Sequence, residues 1–333
     1  MTRVAVLGTG SWGTTFAGVV ATAGAEVVLW GRRSEVCEEI TVQHTNRGYL
    51  ADVRLPETVT ATTDPVRACS GAEIVVLAVP SQTLRANLIA WREALPPSAV
   101  LVSLMKGVEL GTLKRMSEVV AEAVPAGPER IAVVSGPNLA REIAARQPTA
   151  TVVAAERLDV AERVAAVCSA PYFRPYTQTD VVGVELGGAV KNVIALAVGM
   201  AEGLGFGDNT KASIITRGLA ETTRLGLALG ADPATMAGLA GLGDLVATCA
   251  SPLSRNRTFG VHLGRGHTVA ETTALTQQTA EGVKSCRPIL SLARRHGIDM
   301  PITEQVVAAV HDGMPVADMA PRLLGRPRKA ELG

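Results

Sequence analysis

The chain has 333 residues, 47% of them hydrophobic, enough for two domains with separate cores at roughly 100 to 200 residues per domain. A formal charge of +1 with 3% aromatic residues speaks against a nucleic-acid surface, which needs a basic stripe and rings for bases to stack on. No leader-like segment precedes the first strand-like run at Arg3, and apolar runs such as "IVVLAV" fall short of the ~20 residues that span a bilayer, so we expect a cytoplasmic protein without a membrane span.

From Arg3 to about Tyr176, β-rich runs alternate with helix-length segments: "RVAVLG", "AEVVLW", "AEIVVLAVP", "AVLVSL", "RIAVVSG", "TATVVAA" and "YFRPYT". The alternation predicts βαβ units, and near-continuous apolar runs predict strands covered on both faces, together an α/β doubly wound sheet. After the first run, Gly8, Gly10 and Gly13 stand in G-x-G-x-x-G spacing between a strand and a helix. Gly8 suits a tight turn, Gly10 lets a pyrophosphate approach the backbone, Gly13 permits close helix packing, and the helix N-terminus faces the anion. That context points to a bound dinucleotide, with Trp12 beside it either as a cover or as a packing residue. The second run ends at Trp30 and leads into Gly31, Arg32 and Arg33, where an acidic residue would grip the ribose hydroxyls of NAD. Two guanidiniums offer bidentate donors to a 2′-phosphate, so NADPH is the expected preference. Glu35 keeps NADH in play, and solvated loop arginines are the plainer alternative.

Farther on, "SLMKGVE" sets Lys106 at the carboxyl edge of the sheet, and "SGPNLARE" sets Gly136 and Asn138 between a strand and a helix with free amides. Past about Val184 the β-rich runs give way to Ala/Leu-rich helical segments. Residues 1–183 therefore read as a dinucleotide-binding domain and 184–333 as a helical substrate-binding and catalytic domain. The first segment of the second half, "ELGGAVKNVIALAVG", holds Lys191 in an apolar helix whose neighbours at helical spacing, Gly187, Gly188, Ile194 and Ala195, include no acid. Either Lys191 snorkels to water, or the glycines leave a hole for a small substrate beside its ammonium. Asp244 lies in the glycine-rich "GLAGLGDLVATC", and "SPLSRNRTFG" offers Ser254, Arg255 and Asn256, a hydroxyl, guanidinium and amide that suit a phosphate monoester. Taken singly, each has a plainer alternative: Lys106 as a solvated loop cation, Asp244 as a helix cap and the trio as a capping turn. Cys37, Cys69, Cys168, Cys249 and Cys286 form no C-x-x-C pair, and His262 and His267 lack the spacing of two ligands on one helical face, so no metal site is expected. The tail from Gly325 reads as a polar end with basic residues available to a partner.

Taken in order, "GTGSWGTTFA", "VPSQ", "SLMKGVE", "SGPNLAREIA", "ELGGAVKNVIALAVGMAEGLGFGDNTKASIITRGLAE", "GLAGLGDLVATC", "SPLSRNRTFG" and "TAEGV" resemble the bacterial NAD(P)-dependent glycerol-3-phosphate dehydrogenases over almost the whole chain. The resemblance implies a Rossmann-type α/β domain followed by an all-α domain, an active site in the cleft between them, and a homodimer. It also implies reversible reduction of dihydroxyacetone phosphate to sn-glycerol 3-phosphate, the entry to glycerophospholipid synthesis. Lys191 would be the proton donor in reduction and the acceptor in reverse, with substrate contacts from Lys106, Gly136, Asn138, Asp244, Ser254, Arg255 and Asn256. Dinucleotide contacts would come from Ser11, Trp12, Arg32, Arg33, Lys106, Ala140, Arg255, Thr279 and Glu281. Two positions depart from the common pattern: Asn138 stands where many relatives carry Ser or Thr, and Thr279 where they carry an aliphatic residue.

Under this reading, desolvation and the positive field of Lys106 and Arg255 pull the Lys191 ammonium toward neutrality, while Asp244 counters the shift and aims it. Lys106 polarises the carbonyl, Asn192 helps bind the same oxygen, and Arg255 with Ser254 and Asn256 anchors the phosphate. Two rivals remain. A 3-hydroxyacid or ketopantoate-type dehydrogenase would bind a carboxylate instead, and a non-catalytic NADPH-sensing protein would have no need of the isolated lysine.

Overall fold

The computed structural model describes residues 1–124, 126–276, 280–327 and 330. Ten strands occur among them: β1 (Arg3–Leu7), β2 (Glu26–Trp30), β3 (Thr45–Asn46), β4 (Leu50–Arg54), β5 (Val59–Thr62), β6 (Ile74–Leu77), β7 (Val100–Ser103), β8 (Ile131–Ser135), β9 (Thr149–Ala155) and β10 (Phe173–Gln178). Eight of these form one sheet in the order β10-β9-β8-β7-β6-β1-β2-β5, while β3 and β4 make a separate antiparallel pair. All neighbours in the large sheet are parallel except β8 and β9, so β9 and β10 run against the other six.

Each of the seven β-rich runs becomes a strand of this sheet. Their side chains divide with the period of two that a pleated strand imposes. Val4, Val6, Val27, Leu29, Ile74, Val76, Val100 and Val102 enter one core, and Ala5, Leu7, Val28, Val75, Leu77 and Leu101 enter the other. Both faces are therefore covered by helices, and the polar chemistry is confined to the strand ends. In register, Leu7 pairs with Trp30 and with Leu77, and Leu77 with Ser103, so β1, β2, β6 and β7 end level along one edge.

The second half is organised around a 23-residue core helix, Val181–Gly203, in which every residue from Gly183 to Ala201 is buried. Asp180 caps it by accepting the Gly183 amide at 2.8 Å. The division drawn after residue 183 thus falls inside the helix's first turn. Helices Asp208–Ala228, Asp244–Ala250, Arg255–Gly264, Glu281–Arg295 and Pro301–His311 surround it. The closest crossing is with Arg255–Gly264: a Cβ on Gly199 would lie 2.1 Å from the Arg257 carbonyl oxygen, and one on Gly260 would lie 2.2 Å from that of Leu196. Only glycine lets these two backbones meet.

The core helix also corrects the expectation that no apolar run is long enough to cross a membrane. It passes on length and composition, with mean hydropathy 1.7 over 18 residues, yet 94% of that window is buried against protein. Near the C-terminus, where a free polar end was expected, Arg326 Nη2 lies 2.5 Å from Asp299 Oδ2, and residues 328, 329 and 331–333 are outside the described set.

Candidate active site

The level edge of β1, β2 and β6 builds the first half of the site. Gly8 has φ +138°, and a Cβ there would lie 2.3 Å from the Ala78 carbonyl oxygen. A Cβ on Gly13 would lie 2.2 Å from the Gly8 oxygen, so both glycines are fixed by close backbone packing. Gly10 differs, since a Cβ there meets nothing within 4 Å. That open side, at the N-cap of helix Ser11–Thr22 with no side chain capping it, is what a pyrophosphate would need. The glycine loop therefore fits a dinucleotide.

Sequence reading missed Asn46, which is 1% exposed. Its Nδ2 donates to the Thr9 carbonyl at 2.9 Å and to Thr14 Oγ1 at 2.8 Å, tying the β3–β4 pair to the loop. Half-buried Trp12 packs edge-on to Phe16 at 5.6 Å and tilted against Phe173 at 6.4 Å, which gives it a packing role whether or not it also covers a ligand. Ala140, at the start of another helix, joins this region through the Thr15 hydroxyl, which donates to its carbonyl at 3.2 Å. Arg32 and Arg33 are exposed just past β2, and the Arg33 guanidinium sits 5.6 Å over the Tyr49 ring with its Nε 4.0 Å from Glu35.

The second half of the site is a charged cluster enclosed between the sheet edge and the core helix. Lys191, 7% exposed, donates to Asp244 Oδ1 and, at 2.7 Å, to Thr248 Oγ1. Asp244 Oδ2 receives Lys106 Nζ at 2.5 Å, and Lys106 also donates to the Gly136 carbonyl at 3.0 Å. Two ammoniums thus share one carboxylate. Burial is the largest influence on Lys191, bringing its pKa down to about 8; Asp244 opposes the shift and Lys106 assists it. The expected contribution of Arg255 to this field is not among its causes.

The missing acidic neighbour on the helix is therefore supplied by Asp244, from 53 residues away. Gly187 and Gly188 need correction, because they do not leave a hole for substrate. A Cβ on Gly187 would lie 2.5 Å from the Ala240 carbonyl oxygen and one on Gly188 2.6 Å from Ser135 Oγ, so protein fills that space. Thr248, one helical turn after Asp244, was also missed; the spacing was visible in the sequence, but only with the Asp244 helix already assigned.

The "SRN" trio divides its duties. Ser254 caps helix Arg255–Gly264 by accepting the Arg257 amide at 3.2 Å, and the capping alternative is what the structure realises for this hydroxyl. Asn256 is buried, donating to Asn192 Oδ1 at 2.9 Å and accepting from the Gly282 amide at 2.9 Å. Arg255 alone is exposed. Beside it, burial pushes the Glu281 carboxyl up, opposed by Arg255, the Ser81 amide and both lysines. Asn138 Nδ2 donates to Thr151 Oγ1 at 3.0 Å. Thr279 lies outside the described residues. A cavity of about 380 Å³ lined by Arg115, Ser117, Asp180 and Asp232, among others, holds none of the lysine cluster.

Comparison with known proteins agrees over the full length. The sequence matches the N-terminus of NAD-dependent glycerol-3-phosphate dehydrogenase over residues 3–161 and its C-terminus over residues 180–321. It is 64% identical to a glycerol-3-phosphate dehydrogenase [NAD(P)+] of Streptomyces griseus subsp. griseus, with 99% of this chain and 98% of that one covered. A counterpart of the same name in Thermobifida fusca is 64% identical, with 99% of each chain covered. The crystal structure of glycerol-3-phosphate dehydrogenase from Coxiella burnetii superposes with a TM-score of 0.93 at 36% identity, over 98% of this chain and 99% of that one.

Proposed function

Since the chain belongs to the NAD-dependent glycerol-3-phosphate dehydrogenase family, we propose that it interconverts dihydroxyacetone phosphate and sn-glycerol 3-phosphate, with residues 1–183 holding the dinucleotide and residues 184–333 supplying the proton and gripping the phosphate. The chain is an NAD(P)-dependent oxidoreductase. The observation that carries the reading is the Lys191–Asp244–Lys106 cluster, in which one buried ammonium is depressed toward neutrality and a second lies beside it.

When bound, the nicotinamide supplies or accepts the hydride. In reduction, the carbonyl oxygen of the substrate gathers negative charge, and the Lys191 ammonium donates the proton that neutralises it. Asp244 and the Thr248 hydroxyl hold Lys191 Nζ at a fixed point, and Lys106, on the other Asp244 oxygen, stabilises the developing oxyanion. Arg255, the exposed cation of the "SRN" turn, takes the phosphate with the Ser254 hydroxyl, while Asn138, held beside Ser135 through Thr151, contacts the substrate from the sheet side. Asn256 reaches the reacting centre through Asn192 rather than as a free donor.

The glycine loop Gly8, Gly10 and Gly13, with Ser11, Trp12 and Ala140, receives the dinucleotide, and Glu281, Arg255 and Lys106 complete its nicotinamide side. Exposed Arg32 and Arg33 past β2 favour NADPH over NADH by meeting the 2′-phosphate. Exposed Phe206, Leu242, Val246 and Leu253, all in the helical half, are surface that a second copy would cover in a homodimer, which sedimentation velocity can test. Placement at the entry to glycerophospholipid synthesis follows from the product.

The direct test is NADPH oxidation by the purified protein with dihydroxyacetone phosphate, ketopantoate and a 3-oxoacid as parallel substrates. Turnover confined to the phosphorylated ketone is expected. Preference for a carboxylate substrate, or NADPH binding without turnover of any, would overturn the assignment.

A further inference from the structure

Ser135 closes β8 at the carboxyl edge of the sheet and is 4% exposed. Its carbonyl accepts from Thr151 Oγ1 at 3.0 Å, but its own hydroxyl, fully enclosed, has no hydrogen-bond partner among the described residues. A buried hydroxyl without a partner is a standing cost that a polar ligand group can relieve. Its surroundings are those of the reaction. A Cβ on Gly188 would lie 2.6 Å from Ser135 Oγ and 3.3 Å from Lys106 Cγ, so the hydroxyl and the lysine stem flank one point on the core helix. That point is one turn before Lys191. On the other side of Lys191, Asn192 is bonded to Asn256, the neighbour of Arg255.

Along the core helix, then, Ser135 and Arg255 bracket the proton donor. Dihydroxyacetone phosphate has the same order: its carbonyl lies between a phosphate end and a hydroxymethyl end. With the phosphate toward Arg255 and the carbonyl at Lys191, the hydroxymethyl group is directed toward Ser135. We propose that the Ser135 hydroxyl hydrogen-bonds the primary hydroxyl of the substrate and selects hydroxymethyl ketone phosphates over methyl ketone phosphates. Side chains rather than backbone fill the space at Gly188, so the Lys106 methylenes can shift to admit the ligand while Nζ stays on Asp244 and the Gly136 carbonyl. This inference rests on dihydroxyacetone phosphate being the substrate.

The test is a substrate-truncation cycle on the full-length enzyme, comparing dihydroxyacetone phosphate with hydroxyacetone phosphate, which lacks only that hydroxyl. Wild type should favour dihydroxyacetone phosphate in kcat/KM, and Ser135→Ala should cut the ratio of the two by about 10- to 100-fold. Ser135→Cys, similar in shape but a weak donor, should do the same and serves if the alanine variant folds poorly. The melting temperature of Ser135→Ala should not fall, because no hydrogen bond in the free enzyme is removed. An unchanged ratio, with both substrates losing equally or neither losing, would overturn the role. Absence of wild-type turnover of dihydroxyacetone phosphate would instead remove the substrate assignment, and the Ser135 role with it.

Discussion

At Lys191, burial lowers the pKa to about 8, with Asp244 pulling it up and Lys106 pushing it down. Reduction uses the protonated lysine and oxidation the neutral one. In the reducing direction kcat/KM should therefore be level below about pH 8 and fall by about tenfold per unit above it, while oxidation of glycerol 3-phosphate should rise toward a plateau above about pH 8. Lys191→Ala should lower turnover by about 10²- to 10⁴-fold in both directions while a fluorescence titration still shows NADPH binding. A second expectation at this scale concerns Arg32 and Arg33. The Arg32→Ala, Arg33→Ala double variant should lose about 10- to 100-fold in kcat/KM with NADPH and little with NADH, since only the former carries the 2′-phosphate. Lys191 stood out in the sequence because an unpaired cation in an apolar helix is costly. Asp244 stood out as its partner only through the family resemblance, and Thr248 did not, because they are 53 and 57 residues away.

Among the elements, the core helix was legible and its supports were not. Apart from Lys191 and Asn192, the run from Leu186 to Val198 is apolar all round, which is the mark of a helix enclosed by others. One of those others, Pro301–His311, has no capping side chain of its own at Met300. Glu221, from helix Asp208–Ala228, supplies the cap: its carboxylate accepts the Ile302 amide at 2.6 Å, and the Thr303 amide and hydroxyl each at 3.2 Å. Burial raises its pKa to about 7, with those donors pulling the other way. Folded protein then holds a proton between about pH 4.5 and 7 that unfolded chain has released, so this residue's contribution to stability falls as pH rises through that window. Glu221→Gln should flatten the dependence of melting temperature on pH there, and Glu221→Ala should cost about 1–3 kcal/mol by leaving amides unpaired. Strands show the same contrast. The seven apolar runs were read directly, whereas β5, with the sequence "VTAT", and the short β3 and β4 carry too few apolar residues to stand out.

For the whole molecule, the relation between the sheet and the core helix decides whether the site exists. Glu185, six residues before Lys191 and 6% exposed, accepts from Arg115 Nη1 at 2.7 Å, from the Ser117 amide at 2.8 Å and from the Ser117 hydroxyl at 2.6 Å. Burial pushes its carboxyl up and Arg115 is the strongest influence holding it down. Removing Arg115 would strand a buried carboxylate at the contact between the halves. Arg115→Ala should therefore destabilise by about 3 kcal/mol or more in thermal or urea unfolding, and adding Glu185→Gln should recover part of the loss.

The sequence by itself determined seven strands of the large sheet, the helical second half, the glycine turn and the lysine, because hydrophobic period, glycine spacing and a misplaced charge are local properties. Tertiary structure alone decided that Thr248 shares Lys191 with Asp244 and that Lys106 takes the other carboxylate oxygen, which of Ser254, Arg255 and Asn256 stays free for a ligand, and why Gly187 and Gly188 are glycines. Those are matters of close approach between segments tens of residues apart, and the separation of two such segments in space is set by how the helices pack, not by anything written within either segment.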